Sequence, residues 1–180
     1  LKNYGTPDIV LLNAGTNNPN SKKIFSIEET EQIFDTNFFG TLNCLSSILP
    51  SLKKKHKSQV IFMSSVAGYR GLPYASAYCS SKSAITTFAE SIYNQCKGFG
   101  IAIRVVNPGF IKTPLTDKNK FKMPMIMSVE KAANIMYEKF IFSKKFEISC
   151  PWFFCVIMKI LRVLPYKSYF ALTQLLIKKL

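Results

Sequence analysis

A tyrosine and a lysine one helical turn apart are the side chains of this sequence best suited to proton transfer. Tyr78 and Lys82 are four residues apart in a stretch, 75–96, that is predicted to be helical, so both lie on one helix face. A nearby ammonium favours the phenolate, and Lys82 is therefore expected to pull the pKa of Tyr78 from about 10 toward neutrality. A phenol tuned in this way can give a proton to a carbonyl oxygen or take one from an alcohol.

The same spacing occurs a second time, at Tyr93 and Lys97, and each tyrosine has a serine thirteen residues before it. Ser65 directly follows an apolar strand, at the edge of a parallel sheet where ligands bind, whereas Ser80 lies inside a helix. Tyr93 lies roughly 22 Å farther down its helix than Tyr78. We therefore interpret the second pair as accidental. The Ser65 hydroxyl is then expected to stabilise negative charge on a substrate oxygen beside Tyr78.

The elements that must position these side chains alternate between short apolar strands and longer helices. The predicted strands are 8–12, 59–63, 101–106 and 146–149, and the predicted helices are 26–50, 75–96 and 128–142. The segment 113–127 has no clean periodicity and contains two prolines, so it is predicted to be a loop or lid. Nearly continuous apolar strands that alternate with helices indicate an α/β fold, in which a parallel sheet lies inside a three-layer α/β/α sandwich.

Distinctive short segments lie at the predicted strand ends and in the first helix. In chain order they are Asn13-Ala14-Gly15, Asn37, Ser65, Tyr78-x-x-x-Lys82 and Asn107-Pro108-Gly109. Their order and spacing, from Leu12 to about Pro114, resemble the successive signatures of the short-chain dehydrogenase/reductase family. The resemblance implies a Rossmann-like fold. It also implies an NAD(P)(H)-dependent oxidoreductase that interconverts a secondary alcohol and a ketone.

The resemblance also implies a role for each catalytic position. Tyr78 would be the general acid/base, and Lys82 would hold the nicotinamide ribose hydroxyls and tune Tyr78. Ser65 would position the substrate carbonyl, and Asn37 would hold a water in a proton relay. Taken without the rest, Asn37 is better interpreted as a buried amide that bonds the backbone of a kinked helix.

The implied cofactor-binding positions follow the first and third strands. They are Asn13, Ala14, Gly15, Pro108, Gly109, Ile111 and Thr113, together with Tyr78 and Lys82. The first three would line the adenine side, and the Pro-Gly turn would lie against the nicotinamide, where glycine permits close backbone approach. The last two positions of that loop would meet the carboxamide or the pyrophosphate. Each of these segments alone is also consistent with an ordinary strand-ending turn.

The glycine-rich TGxxxGxG turn of the family does not occur in these 180 residues. That turn cradles the pyrophosphate at a helix N-terminus. The charge that selects NAD or NADP is also absent, so the resemblance does not distinguish the two cofactors.

The sequence begins at Leu1 and enters a strand almost at once. We therefore expect the true N-terminus upstream, and a fold that lacks the first βαβαβ part and has an open edge beside Val10. Two non-enzymatic alternatives stay open: an inactive truncated or split-gene fragment, and a membrane-surface binding module.

Charge and cysteine content restrict the partners and the compartment. The net charge is +14, but only three basic residues are arginines and no nucleic-acid-binding motif occurs, so nucleic acid is not a predicted partner. The five cysteines are odd in number and include no CxxC pair, which favours a reducing, cytoplasmic location without disulfides or bound metal. The lone His56 lies in a lysine run and is expected in a solvated turn.

The chain is predicted to divide into a Rossmann-type domain, 1–150, and an apolar, basic helical tail, 151–180. The apolar run 152–164 is interrupted by Lys159 and Arg162 and is too short to span about 30 Å of hydrocarbon. The tail is therefore expected to cap the substrate cleft, to lie peripherally on a membrane surface, or to do both. With the segment 121–127, it resembles bacterial relatives of the 11-beta-hydroxysteroid dehydrogenase branch, which implies a lipophilic substrate. A homo-oligomer formed through helices 28–50 and 75–96 is expected by analogy.

The missing glycine-rich turn leads to a prediction for the 180-residue chain itself. Expressed alone, the chain should bind NAD(H) and NADP(H) weakly or not at all, because no helix N-terminus in it is built to hold the pyrophosphate. Isothermal titration of the purified chain with each nucleotide measures this directly. A dissociation constant in the micromolar range would contradict the prediction.

Overall fold

Four parallel strands form the central sheet of this computed structural model, which describes residues 5–19, 24–119 and 123–177. In chain order and in spatial order the strands are β1 (Ile9–Leu12), β2 (Ser58–Met63), β3 (Ile101–Pro108) and β4 (Glu147–Cys150). The helices are α1 (Ile27–Phe34), α2 (Gly40–Lys55), α3 (Ser76–Gly98), α4 (Val129–Phe142), α5 (Trp152–Val163) and α6 (Tyr166–Ile177). Every neighbouring pair of strands is parallel, with Val10 beside Val60 and Phe62 beside Val105. The predicted α/β fold is confirmed.

The two faces of the sheet bury different hydrophobic clusters. Because successive strand side chains point to opposite faces, Val60 and Phe62 belong to the cluster under α2 and α3. Ile61 points the other way and packs in the cluster beneath α4, with Met136 and Ile148. Both sides of the sheet are therefore covered by helices, which gives the predicted three-layer α/β/α sandwich.

The predicted helix 26–50 begins as predicted, but it is two α-helices joined by a π-helical turn, and it ends later in the chain than predicted. The Ser26 side chain accepts a hydrogen bond from the Glu29 amide at 3.3 Å and caps α1. Between α1 and α2 the chain forms a π-helical turn, Asp35–Phe39, which contains the buried Asn37. The predicted end at Pro50 is wrong, since α2 continues to Lys55 with this proline inside it. A helical proline loses only one backbone bond and clashes locally, and buried Leu52 holds the following turn against the core.

The sheet has an exposed edge at β1, as predicted. This strand pairs only with β2 among the described residues, and the side chains of Ile9 and Leu11 are exposed. At the opposite edge, β4 is followed by Pro151 and α5.

The segment 113–127 contains no helix or strand in its described part, where a single bridge joins Ile111 to Met127. The predicted loop is confirmed, although Phe121 lies outside the described residues.

The tail forms two helices, α5 and α6, that are fastened to the segment after β2. The Arg70 guanidinium donates to the carbonyl oxygens of Leu161 at 2.6 Å, Arg162 at 3.1 Å and Leu164 at 2.7 Å. These are carbonyls at the C-terminus of α5, which lack partners within the helix. The same guanidinium lies 3.9 Å from the ring centre of Tyr169 in α6. One arginine thus links both tail helices to the loop that leads into α3.

In the described part of the chain, no helix combines the length and the apolar character that crossing a bilayer requires. The predicted division of the chain after residue 150 stays a prediction. Two of the basic residues of the predicted tail, Lys178 and Lys179, lie outside the described residues.

The arginine contact can be tested by substitution. Arg70→Met should lower the free energy of unfolding by about 1–3 kcal/mol, because it leaves helix-end carbonyls without donors. It should also increase amide hydrogen exchange in α6, which loses its ring contact. Arg70→Lys should recover only part of this, since an ammonium cannot reproduce the planar fork. Urea unfolding and hydrogen-exchange mass spectrometry measure both effects, and unchanged exchange in α6 would contradict the prediction.

Candidate active site

Ser65, Tyr78 and Lys82 lie together beyond the carboxyl end of β2. Ser65 follows the strand in extended backbone and caps a 3-10 turn, Val66–Gly68, by accepting the Ala67 amide at 3.1 Å. Tyr78 lies in the first turn of α3, where the Ser65 side chain is close enough for a hydrogen-bonding interaction with the phenol. The Lys82 Nζ lies one turn farther along, 5.7 Å from the ring centre of Tyr78. The three side chains thus share one place in the fold.

The Lys82 amine is buried next to the backbone ends of two strands. Its side chain is 3% exposed, and its Nζ donates to the Met63 carbonyl at 2.8 Å. Desolvation lowers the pKa of Lys82 to about 8, because burial disfavours the charged form. The turn after β1 also comes close, since a Cβ added at Gly15 would lie 3.2 Å from Nζ. Glycine at this position therefore leaves room for the amine.

Burial dominates the protonation of Tyr78. Desolvation raises its pKa above the usual value, and the interaction with Ser65 opposes this only in part. The expected lowering of this pKa by Lys82 is wrong for this structure. Desolvation is the largest cause, and the Lys82 amine, 5.7 Å from the ring centre, does not offset it. The phenol is therefore protonated at neutral pH.

Asn37 connects the turn after β1 to helix α3. Its Oδ1 accepts from the Thr16 amide at 2.7 Å, and its Nδ2 donates to the Thr16 carbonyl at 3.0 Å. The same Nδ2 donates to the Ser81 hydroxyl at 3.0 Å, and Ser81 in turn donates to the Tyr78 carbonyl. The amide is fully buried in the π-helical turn. It therefore holds Asn13-Ala14-Gly15 near α3, while its implied role with a water stays a prediction.

Two further contacts, which sequence reasoning missed, hold α3 against the end of β2. The Ser64 hydroxyl donates to the Lys82 carbonyl at 2.8 Å and lies 2.9 Å from the Thr86 hydroxyl. A Cβ at Gly68 would lie 2.9 Å from the Lys82 carbonyl carbon, so the 3-10 turn approaches the helix backbone directly. The Ser64-Ser65 pair and the nearby glycine were visible signals. Only the fold shows that Ser64 and Gly68 act on the backbone of Lys82.

The Pro108-Gly109 turn lies at the carboxyl end of β3, as predicted, but its glycine meets a protein side chain. A Cβ at Gly109 would lie 2.7 Å from Cδ1 of Phe154 and 3.2 Å from Cδ of Pro151. The absence of a side chain at Gly109 thus lets α5 pack over this turn. Close approach to a nicotinamide ring stays a prediction for the same position.

Ile111 and Thr113 lie in the loop that follows this turn. The Thr113 hydroxyl is 3.3 Å from the Thr116 hydroxyl, and Thr116 donates to the Ile111 carbonyl at 2.6 Å. These bonds close a local turn. No contact links either residue to the Ser65, Tyr78 and Lys82 group in the described part of the chain, so their implied cofactor contacts stay predictions.

The second tyrosine–lysine pair lies away from this site. The Tyr93 ring packs edge-on against Phe146, with ring centres 5.5 Å apart, at the margin of the core under α2 and α3. Its role is therefore packing, and its interpretation as an accidental match is confirmed.

A small groove lies between α1 and the start of α3, with Tyr78 among its lining residues. Its lining is mixed, because Phe25 and Ile33 are joined by polar side chains such as Asn17 and Glu29. It encloses about 20 Å³, which is room for about one water. Among the described residues, no group of three acidic, cysteine or histidine side chains is arranged to hold a metal ion. All five cysteines are free thiols, and His56 is exposed at the end of α2.

The comparisons with known proteins identify the family of this chain. A family model described as short chain dehydrogenase matches residues 1–123. This chain belongs to the short-chain dehydrogenase family. An uncharacterised oxidoreductase of Myxococcus xanthus is 35% identical over 161 residues, which are 89% of this chain and 63% of the relative. A 3-ketodihydrosphingosine reductase of Bacteroides thetaiotaomicron is 31% identical over 117 residues, 65% of this chain and 44% of that protein.

Solved structures of the family share the fold. A short-chain dehydrogenase from Burkholderia cenocepacia in complex with NADP superposes with a TM-score of 0.69, at 22% identity, over 78% of this chain and 60% of that one. A 3-ketoacyl-(acyl-carrier-protein) reductase from Brucella melitensis complexed with NADH gives 0.73, at 17% identity, over 83% and 67%. The chain spans less than two thirds of the length of the curated relatives described above.

The buried amine predicts a specific dependence of stability on pH. Because the pKa of Lys82 is lower when folded than its usual 10.5, the unfolded chain binds more protons between about pH 8 and 10.5, and stability should rise with pH there. The rise should amount to about 3 kcal/mol at most. Lys82→Met should remove it, whereas Lys97→Met, which changes an exposed lysine of the same helix, should not.

Urea unfolding at a series of pH values measures the effect. The informative quantity is the difference between the native chain and each variant, since titration of the buried thiols is common to all three. Parallel curves for the native chain and Lys82→Met would show that Lys82 is not desolvated.

Proposed function

We propose that this chain carries the catalytic residues of an NAD(P)(H)-dependent oxidoreductase that interconverts a secondary alcohol and a ketone. The observation that carries the proposal is the meeting of Ser65, Tyr78 and Lys82 at the carboxyl edge of a parallel sheet. Ligands of open α/β sheets bind at this edge. Membership of the short-chain dehydrogenase family supports the same reaction class.

The donors near the edge suit the nicotinamide end of such a cofactor. The Lys82 amine and the Tyr78 hydroxyl offer hydrogen-bond donors for ribose hydroxyls, beside a Gly15 backbone that leaves space. Lys82 and Tyr78 would hold this end, and the Pro108-Gly109 turn would lie against the nicotinamide. Asn13-Ala14-Gly15 would line the adenine side, and Ile111 and Thr113 would meet the carboxamide or the pyrophosphate. When bound, the cofactor supplies or accepts the hydride. The pyrophosphate cradle is not among these 180 residues.

The proton chemistry falls to Tyr78. In the reductive direction its phenol would donate a proton to a carbonyl oxygen. Burial, which raises its pKa, keeps the phenol protonated at neutral pH. Ser65 would donate a hydrogen bond to the same oxygen and stabilise the developing alkoxide. In the oxidative direction the same phenol, as phenolate, would take the proton of the alcohol. Asn37 would hold a water that relays the proton from Tyr78 to solvent in the oxidative direction and back to Tyr78 in the reductive direction.

A lipophilic substrate is supported by the names of relatives. One of them is a 3-ketodihydrosphingosine reductase, and another is a retinol dehydrogenase. The resemblance to the 11-beta-hydroxysteroid dehydrogenase branch points the same way. We include a reducing, cytoplasmic location in the proposal, supported by the five free thiols, and a homo-oligomer formed through α2 and α3 by family analogy.

A second candidate is favoured by one observation, the lack of a glycine-rich turn in the 180 residues. A chain that keeps the catalytic edge without a pyrophosphate site would be an inactive fragment of the fold, or a binding module. Activity that appears when a strand–TGxxxGxG–helix segment precedes Leu1 decides between the two. Such a segment can come from the coding DNA upstream of Leu1 or from a related reductase.

In that longer protein, Tyr78→Phe should abolish turnover of lipophilic ketones with NADH or NADPH while cofactor binding persists, because only the transferable proton is lost. Ser65→Ala should lower kcat by about 10²–10³-fold, as expected for loss of one donor to the oxyanion. Tyr93→Phe is the matched control, a tyrosine of the same helix with a lysine four residues later, and it should retain full activity. Steady-state kinetics and nucleotide fluorescence titration measure these outcomes.

Retained turnover in Tyr78→Phe would remove this residue from the proposed role. Loss of turnover in Tyr93→Phe to the same extent would show that the effect comes from the helix and not from the site.

A further inference from the structure

Helix α5 is apolar on two opposite faces. Its inner face buries Phe154, Cys155 and Met158 against Val66 and Tyr69 beside the candidate site. Its outer face presents a second apolar row to solvent, which consists of Trp152, Phe153, Val156, Ile160 and Val163. At 3.6 residues per turn, these five positions fall within an arc of about 100°. A helix of a soluble domain needs only the inner row, so the outer row requires another explanation.

The apolar exposure continues on α6. Tyr166 and Phe170 are exposed, and their rings stack with centres 5.8 Å apart. We call the outer row of α5 together with these two residues the tail surface. The Arg70 contacts described above hold both helices in place, so the tail surface is presented on a fixed support.

The charge around the tail surface selects its partner. Residues 151–180 contain five lysines and arginines and no aspartate or glutamate, within a chain of net charge +14. Of the three described cations, Lys159 pairs with Glu147, and Arg162 and Lys167 are exposed on α5 and α6. A cationic segment is attracted to the anionic lipids of a membrane surface. A second copy of the chain would instead bring two cationic tails together, which opposes self-association through this face.

The dimensions indicate that the tail lies on a bilayer rather than across it. Each tail helix has 12 residues, which is about 18 Å at 1.5 Å per residue, whereas the hydrocarbon layer is about 30 Å thick. An apolar row with aromatic residues and neighbouring cations is typical of helices that lie in the interface plane. Trp152 and Tyr166 are of the residue types enriched at that depth.

We propose that the tail surface docks this protein on an anionic lipid bilayer. The docking goes beyond the oxidoreductase activity and does not depend on it. The opposite, inner face of α5 packs against Val66 and Tyr69, next to Ser65.

Trp152 makes the docking directly measurable. It is the only tryptophan of the 180 residues, and it lies 66% exposed in the tail surface. Vesicles of phosphatidylcholine mixed with phosphatidylglycerol should shift its emission to shorter wavelength and should sediment the chain. Vesicles of phosphatidylcholine alone should bind much more weakly. Raising the salt from about 0.05 M to about 0.5 M should weaken binding to the anionic vesicles, because it screens exposed charges.

A matched pair of variants tests the location of the binding surface. Phe153→Glu combined with Ile160→Glu places two carboxylates in the outer row and should weaken vesicle binding by at least about tenfold, since each change removes an exposed apolar side chain that the bilayer would bury and adds repulsion. Phe142→Glu changes an aromatic residue that is 82% exposed at the end of α4, outside the tail surface, and should bind nearly as the native chain does. Circular dichroism checks that all variants are folded.

Three results would overturn the proposal. The first is a native chain that does not bind anionic vesicles at low salt. The second is an equal loss of binding in Phe142→Glu, which would mean that any added negative charge has the same effect. The third is a native chain that does not bind vesicles but forms a concentration-dependent dimer in analytical ultracentrifugation, when the Phe153→Glu/Ile160→Glu variant stays monomeric. That outcome would assign the tail surface to a second copy.

Discussion

The burial of one lysine amine at the end of a parallel sheet is the interaction on which the candidate site depends. Lys82 is removed from water, and its Nζ has the Met63 carbonyl as its hydrogen-bond acceptor. Burying an amine is unfavourable unless the surroundings hold it in place. Here the Gly15 backbone, the Gly68 turn and the Ser64 hydroxyl fix the helix that carries it. The nearby phenol is desolvated in the same place, and its pKa rises as that of Lys82 falls.

The same edge of the sheet is connected to the tail through small residues and one arginine. Gly109 admits Phe154 of α5 to the end of β3, and Arg70 joins the loop after β2 to the carbonyl end of α5. The loops that border the candidate site therefore also support the tail helices. A shift in the position of α5 would be transmitted by direct contact to the segments that contain Ser65 and Gly109.

Sequence reasoning anticipated the sheet, its order of elements and the group of three side chains, because each depends on local pattern. Strand and helix periodicity placed Ser65 and Tyr78 at one edge, since the carboxyl ends of parallel strands share that edge. It was wrong about the end of the first helix, because Leu52 holds the turn beyond Pro50 in the core. It was also wrong about the direction of the Tyr78 pKa, since desolvation is set by distant residues that enclose the phenol.

By itself, then, the sequence determined the α/β architecture, the candidate proton-transferring pair with the serine beside it, and the basic character of the tail. These follow from residue types and spacing. Only the tertiary structure decided which contacts hold them: that Asn37 bridges Thr16 to Ser81, that Gly109 faces Phe154, and that one row of α5 remains outside. Such contacts join residues far apart in the chain, and no local pattern specifies which surfaces meet when several elements pack into one core.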